Sequence, residues 1–445
     1  MSGPAPFAIR LDQARASSAA LRAELDAWCG RARDEETWKR YRSQLERLGR
    51  TIGGLLGKAD EGAQDLGEDA AGWRALDTFE RALLAANGIW SYFRSKYMFR
   101  DHPSLGQMLR LADDFAWDCY RPVQKACAPQ APREPPLVYF SEMWSPFAMA
   151  RDRSFANELH FAESGTARVL EDEAFEQMLA RLPLPLVSLP WLYASSPPGL
   201  LVVAHEVGHI VAADFGFDGA LRAAIDAATW QQGAALWQGW REEVFADLFG
   251  VAAAADGFVG GLATLLAIAP DRLAAETRVG GRYPPRGLRM EIALGALARR
   301  NSPRADELRQ RWNAAYPDQG DFTAFASDAA RMIDLVFGLA CGQAKLGALF
   351  TINEVNVTAL LGRAVQGAGL TNPNFDAIAA LVLAQRLGDG RIGGVPVEKT
   401  MTAIRKFVDT RPTGYRGSSP AASEPRQADL ELGQALWLEL AQPAD

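Results

Sequence analysis

Apolar residues recur at helical spacing through the first quarter of the chain. Leu11, Ala14, Leu21, Leu25 and Trp28 mark one stripe; Trp38, Tyr41, Leu45, Leu48 and Ile52 mark a second that ends near Gly53-Gly54. Steps of three and four residues put such side chains on one face of a helix. Residues 72–99 carry an aromatic-rich helical pattern through Trp73, Leu76, Phe79, Leu83, Trp90, Phe93 and Tyr97, and a further helix is predicted from Ser104 to Ala126. These aromatic positions read as core. The run APQAPREPP at 128–136 is a proline-rich break and the first candidate boundary.

From Leu137 the pattern changes. Short strands are predicted at 137–140, 158–161, 167–170 and 186–189, with a helix at 172–181 between the last two. Ser195-Ser196-Pro197-Pro198 supplies a helix start, with Ser196 as N-cap and Pro197 at the first helical position. That helix is expected to run to Asp214 and to stop at Phe215-Gly216. Helices follow at 220–228, 234–255, 258–268, 287–300, 304–314, 322–345, 353–367, 373–387 and 396–409. Residues 411–427 have linker composition. A last amphipathic helix with Leu430, Leu436, Trp437 and Leu440 is expected to dock on the body or on a partner. The fold class is mainly α with a small β-sheet (α+β). Its parts are a helical N-terminal region at 1–130, a core at 137–300, a helical region at 301–410, and a linker with terminal helix at 411–445.

Composition narrows the function classes. The chain has 445 residues, 48% hydrophobic and 23% charged, enough for a substantial core. A net charge of -7 without a basic run gives nucleic-acid binding no electrostatic support. The N-terminus lacks the apolar stretch of a secretory signal. Residues 249–269 are Ala/Gly-rich and carry Asp256, so a buried helix is expected there rather than a membrane span. Four scattered cysteines, Cys29, Cys119, Cys127 and Cys341, read as buried free thiols in a reducing compartment, and a cytoplasmic protein is expected.

The candidate chemistry sits in His205-Glu206-Val207-Gly208-His209. Histidines at i and i+4 lie one turn apart on one helix face and can reach one metal ion, while Glu206 beside them can take a proton from water. No histidine follows His209, so a third-histidine site is excluded on that side and an acidic residue is the better third ligand; His102 and His160 upstream remain available in principle. Downstream, Glu243 and Asp247 are again i and i+4. Glu243 can coordinate the metal, and Asp247 can accept the free ring N–H of a ligand histidine. Glu242 competes for the third position but points about 100° away on the helix. The expected cofactor is one Zn²⁺ per chain.

Three blocks in this region resemble a gluzincin metallopeptidase, within that group the HtpX and CAAX-prenyl-protease type. HEVGHIVAAD matches the family's zinc-helix block and carries an aspartate of that family onto Asp214. REEVFADLFG matches the block with the zinc-ligand glutamate and an Ala-Asp pair, here Glu243 and Asp247. YPPRGLRM matches a loop block that carries an arginine onto Arg289, with Tyr283 where the family has histidine. The resemblance covers residues 200–290 and lacks the family's membrane helices. It implies a zincin-like core and a zinc endopeptidase with Glu206 as general base. Tyr283 or Arg289 would donate to the oxyanion, Arg289 being alternatively a structural salt-bridge partner, and a sheet edge would pair with extended substrate; the strand at 186–189 is the expected edge. A peptide or protein is then the substrate of a restricted or regulated protease, with a regulatory protein partner on the helical flanks as a possible restraint. The alternative is a zinc-site protein that binds or senses peptide with little turnover.

Overall fold

The computed structural model describes residues 5–131, 133–151, 184–276, 280–281, 283–351, 357, 359, 377–388 and 425–441. The expected strands at 158–161 and 167–170, the helices at 172–181, 353–367 and 396–409, and His160 lie outside the described residues. The contacts divide the chain into two units, one of Met1–Met98, Arg151–Leu184 and Pro412–Asp445, the other of Phe99–Ala150 and Pro185–Arg411.

In the first unit, the three predicted stripes become α1 (Pro6–Asp34), α2 (Arg42–Gly62) and α3 (Ala70–Tyr97). Asp69 caps α3 by accepting from the Gly72 N–H at 2.8 Å. Trp28, Trp38 and Trp90 meet edge to face between these helices, so the aromatic positions are core as expected. Gly53-Gly54 does not end α2. A Cβ on Gly54 would sit 2.7 Å from the Leu430 carbonyl oxygen; the glycine admits the terminal helix, Pro425–Leu440, which packs on α2. Asp429 of that helix, 2% exposed, receives Arg47 and Arg50.

The second unit opens with α4 (Pro103–Cys127) and a three-stranded sheet: β1 (Leu137–Ser141), β2 (Phe147–Met149) and β3 (Leu186–Pro190). β1 runs parallel to β3 with Leu137 opposite Leu186, and β2 runs antiparallel to β3 with Phe147 opposite Ser188. The order is β1-β3-β2. The strand expected as the open edge is therefore the central one, buried at every residue. The edges are β1 and β2, and β2 has only three residues, too few to give an alternating pattern.

Beyond the sheet, a 3₁₀ turn at Pro197–Val202 leads into α5 (Val203–Asp214), so the regular helix begins later than Ser196 suggests. Gly216, at φ 73°, stops it. The chain continues as α6 (Phe217–Ala227), α7 (Ala234–Leu266), α8 (Pro270–Ala274), α9 (Arg286–Arg299), α10 (Ala305–Ala315) and α11 (Ala326–Gly338). The two helices expected at 234–255 and 258–268 are one element kinked at Ala255 (φ 42°). α7 is the one described helix long and apolar enough by itself to cross a membrane. Its most apolar window is 83% buried, and it packs against α5, α6, α9 and α12 (Ala377–Gly388). The helix expected at 322–345 stops at Gly338. Beyond it β4 (Ala340–Cys341) and β5 (Ala344–Lys345) form a hairpin.

That hairpin overturns part of the cysteine expectation. Cys341 is joined to Cys127 at the end of α4 in a disulfide, Cα–Cα 5.0 Å, across 214 residues of sequence. A Cβ on Gly342 would lie 2.1 Å from the Ala126 carbonyl oxygen, so the turn is pressed onto the helix end and the thiols meet. Cys29 and Cys119 lie outside the disulfide. Four free thiols no longer argue for a reducing compartment. The architecture, mainly helical with a small mixed sheet, is the one expected.

Candidate metal centre

α5 is apolar on most of its surface: Val203, Ala204, Val207, Ile210 and Val211 are all buried. Its polar exceptions are His205, Glu206, His209 and Asp214, and they are where the chemistry lies. α7 crosses α5 closely at Gly208, where an added Cβ would fall 2.9 Å from the Ala246 Cα. That approach brings Glu243, one turn before Asp247, under the two histidines.

The Nε2 atoms of His205 and His209 lie 3.2 Å apart. Glu243 Oε2 lies 3.4 Å from His205 Nε2, and Glu243 Oε1 lies 3.6 Å from His209 Nε2. One donor atom from each residue falls within 4.8 Å of the others, so the three could hold a metal ion. Tetrahedral zinc with Zn–N bonds of about 2.0–2.1 Å separates neighbouring donors by ~3.3 Å. The observed spacings agree with that separation. In metal-free protein the same two nitrogens are at hydrogen-bond distance, one ring donating its N–H to the lone pair of the other. The donor set fits the group.

The shell behind the donors is ordered. His205 Nδ1 donates to Asp247 Oδ1 at 2.8 Å, which turns its Nε2 toward the cluster. Asp247, 1% exposed, is gripped by Arg289 through Nε at 2.7 Å and Nη2 at 2.9 Å. Arg289 Nη2 also lies 3.6 Å from Glu243 Oε2. Arg289 thus orients the carboxylates rather than standing clear to meet a substrate.

The charges respond to this packing. Burial disfavours a charged His205 ring, yet Asp247 and Glu243 outweigh it and raise the ring to about 10. Burial pushes Glu243 up, but His205, His209 and Arg289 draw it down to about 2. Asp247 is likewise drawn well below the usual carboxylate range against its burial, chiefly by Arg289. Glu206, 4% exposed, behaves oppositely: burial first, then the Glu243 charge against the counter-pull of His205, lifts it to about 7.

The other candidates lie apart in their roles. Asp214, at the C-terminal end of α5, accepts from Tyr120 at 2.6 Å and from Arg133 at 3.2 Å, so it pins α4 and the proline-rich segment to α5. Tyr283 stands 49% exposed in the loop before α9. Glu242 pairs with its neighbour Arg241 at 3.3 Å; it is Glu243 that joins the histidines. His102 caps α4, accepting from the Leu105 N–H at 3.3 Å. Sequence reasoning missed Tyr193, which follows β3 and whose phenol is pushed up by burial and then by the charge of Glu206. Its position directly after a predicted strand and just before the metal helix was the available signal. Comparison with protein families, with curated proteins and with solved structures finds no match.

Proposed function

We propose that this chain is a zinc-dependent peptidase of the gluzincin kind, hydrolysing peptide bonds in a peptide or protein substrate. The observation that carries the reading is the convergence of His205, His209 and Glu243 at tetrahedral donor spacing, with the buried carboxyl of Glu206 in the same helix turn. Zinc held there would supply a Lewis acid, activating water near neutral pH and polarising a carbonyl. Glu206, buried in the same helix turn as the two histidines, would accept the proton of the attacking water and pass it to the leaving amine. Asp247 fixes the His205 ring, and Arg289 fixes Asp247, so both are positioning residues. The oxyanion donor is assigned to Tyr283 on the family resemblance, because Arg289 is engaged with Asp247.

The test is metal analysis together with cleavage profiling of a proteome digest, wild type against Glu206→Gln. The expected result is about one zinc per chain in both and a loss of at least about 100-fold in cleavage rate in the variant. Full activity in Glu206→Gln, or wild-type protein that neither binds zinc nor cleaves, sinks the proposal.

A further inference from the structure

Large apolar side chains cluster in the open at one end of the three-stranded sheet. β1 ends at Ser141 beside Pro190, and β2 begins at Phe147 beside Ser188. β3 lies between them, so the connection 142–146 must cross over the point where β3 leaves the sheet. Trp144 sits in the middle of that crossover and is 90% exposed. The residues that directly follow β3 are Trp191, 37% exposed, and Leu192, 58% exposed. Trp191 is held as a platform. It stacks on Phe140 at 5.3 Å and meets Phe99 edge-on at 5.0 Å.

None of this exposure helps the fold, since each group would gain by burial. Exposed apolar groups gathered at one place mark a contact surface. Its continuity with the metal centre indicates which contact. The next residue is Tyr193, which is buried. Its ring is packed against the turn that opens α5, so close that a Cβ on Gly199 would fall 2.3 Å from the ring. The exposed residues thus run directly into a ring packed on the turn that leads to α5, the helix that carries Glu206 and that packs on β2 and β3.

We propose that Trp144, Trp191 and Leu192 form a recognition rim beside the metal centre that takes a large apolar side chain of an extended substrate polypeptide. The inference rests on the peptidase reading and adds a substrate preference to it. Trp144 and Leu192 close over the side chain, and Trp191 supplies the flat face beneath it.

The experiment uses the full chain carrying Glu206→Gln, which holds peptide without turnover. Binding is titrated with two peptide pools of random flanks that differ at one fixed position, Phe or Ala. The parent is expected to bind the Phe pool about tenfold more tightly. In Trp144→Ala/Leu192→Ala the ratio is expected to fall below about twofold, and the conservative Trp144→Phe/Leu192→Met is expected to restore most of it. A parent with no preference, or a double variant with the parental ratio, overturns the rim. Phosphatidylcholine/phosphatidylserine vesicles are sedimented with both proteins. Vesicle binding lost in the double variant while its peptide ratio stays parental identifies a membrane contact and also overturns the rim. A wild-type chain that cleaves no pool member while the binding ratio holds sinks the peptidase reading alone, and the rim stands as a polypeptide contact.

Discussion

Gly208 meets Ala246 at the crossing of two helices, and a Cβ on the glycine would lie 2.9 Å from the alanine Cα. The contact is with backbone, which cannot swing aside as a long side chain could. The same crossing sets the distance from His205 and His209 on one helix to Glu243 on the other. Gly208→Ala is therefore expected to separate α5 from α7 at the centre itself. Overpacking of this kind costs about 1–3 kcal/mol of stability. Zinc affinity, measured by chelator competition, should fall at least about tenfold, since donors must hold close to their bond distances. Unchanged affinity and unchanged Tm in this variant would show that the crossing does not set the site.

Asp247 accepts from His205 and twice from Arg289, and its position is 42 residues from each of them in sequence. Asp247→Asn keeps the shape and removes the charge. Zinc affinity is expected to drop about 10–100-fold, as it does when an outer partner of a ligand histidine is lost. Stability should fall too, because the Arg289 guanidinium, 9% exposed, loses its ionic partner. Arg289→Met/Asp247→Leu removes the buried pair together and is expected to recover stability without recovering zinc affinity. Recovery of both would mean that Asp247 serves packing alone.

The raised His205 ring makes metal binding pH-dependent. Its folded-state value of about 10 stands above the ordinary 6.5. In metal-free protein this group's stabilisation is full below about 6.5 and is lost as pH rises through about 10. Zinc has the opposite requirement, a neutral ring with a free lone pair. At pH 8 binding must therefore expel the His205 proton. Calorimetry in buffers of different ionisation enthalpy should show release of about one proton per zinc, and affinity should climb as pH is raised from 6.5 toward 10. A binding enthalpy independent of the buffer would contradict the protonated ring.

The residues of the centre were legible because each pair obeys one helical period. His205 with His209, and Glu243 with Asp247, are four apart, and a four-residue step needs no tertiary information to put two side chains on one face. The partner of Asp247 was not legible. Arg289 entered through a family block, as an oxyanion donor or a salt-bridge partner with no carboxylate named, and only the packing of α9 on α7 shows that its guanidinium meets Asp247. The glycines misled for a related reason. Gly54 reads as a helix stop, whereas its bare Cα admits the Leu430 backbone from more than 370 residues away. β2, with three residues, falls below the length at which alternation can be seen. Its absence from the expectation put the sheet edge on the wrong strand.

The cysteines give a prediction of a different kind, because neither local pattern nor motif pairs Cys127 with Cys341. In denaturant without reductant, only two of the four thiols, Cys29 and Cys119, should react with a thiol reagent. Under native conditions even Cys29 should react slowly near pH 8, since burial, with the nearby Glu46 charge adding to it, raises the thiol to about 11 and little thiolate is present. Reductant should release the other pair. The bridge closes a 214-residue separation between the end of α4 and the β4–β5 hairpin. Its loss in Cys127→Ser/Cys341→Ser is expected to cost about 2–5 kcal/mol, read as a lower Tm and a lower urea midpoint. α4 also carries Tyr120, which donates to Asp214 on the metal helix. Loosening of α4 should therefore reach α5 and lower zinc affinity as well. Four reactive thiols in the unreduced, denatured wild type would remove the bridge, and with it this link from the hairpin to the metal centre.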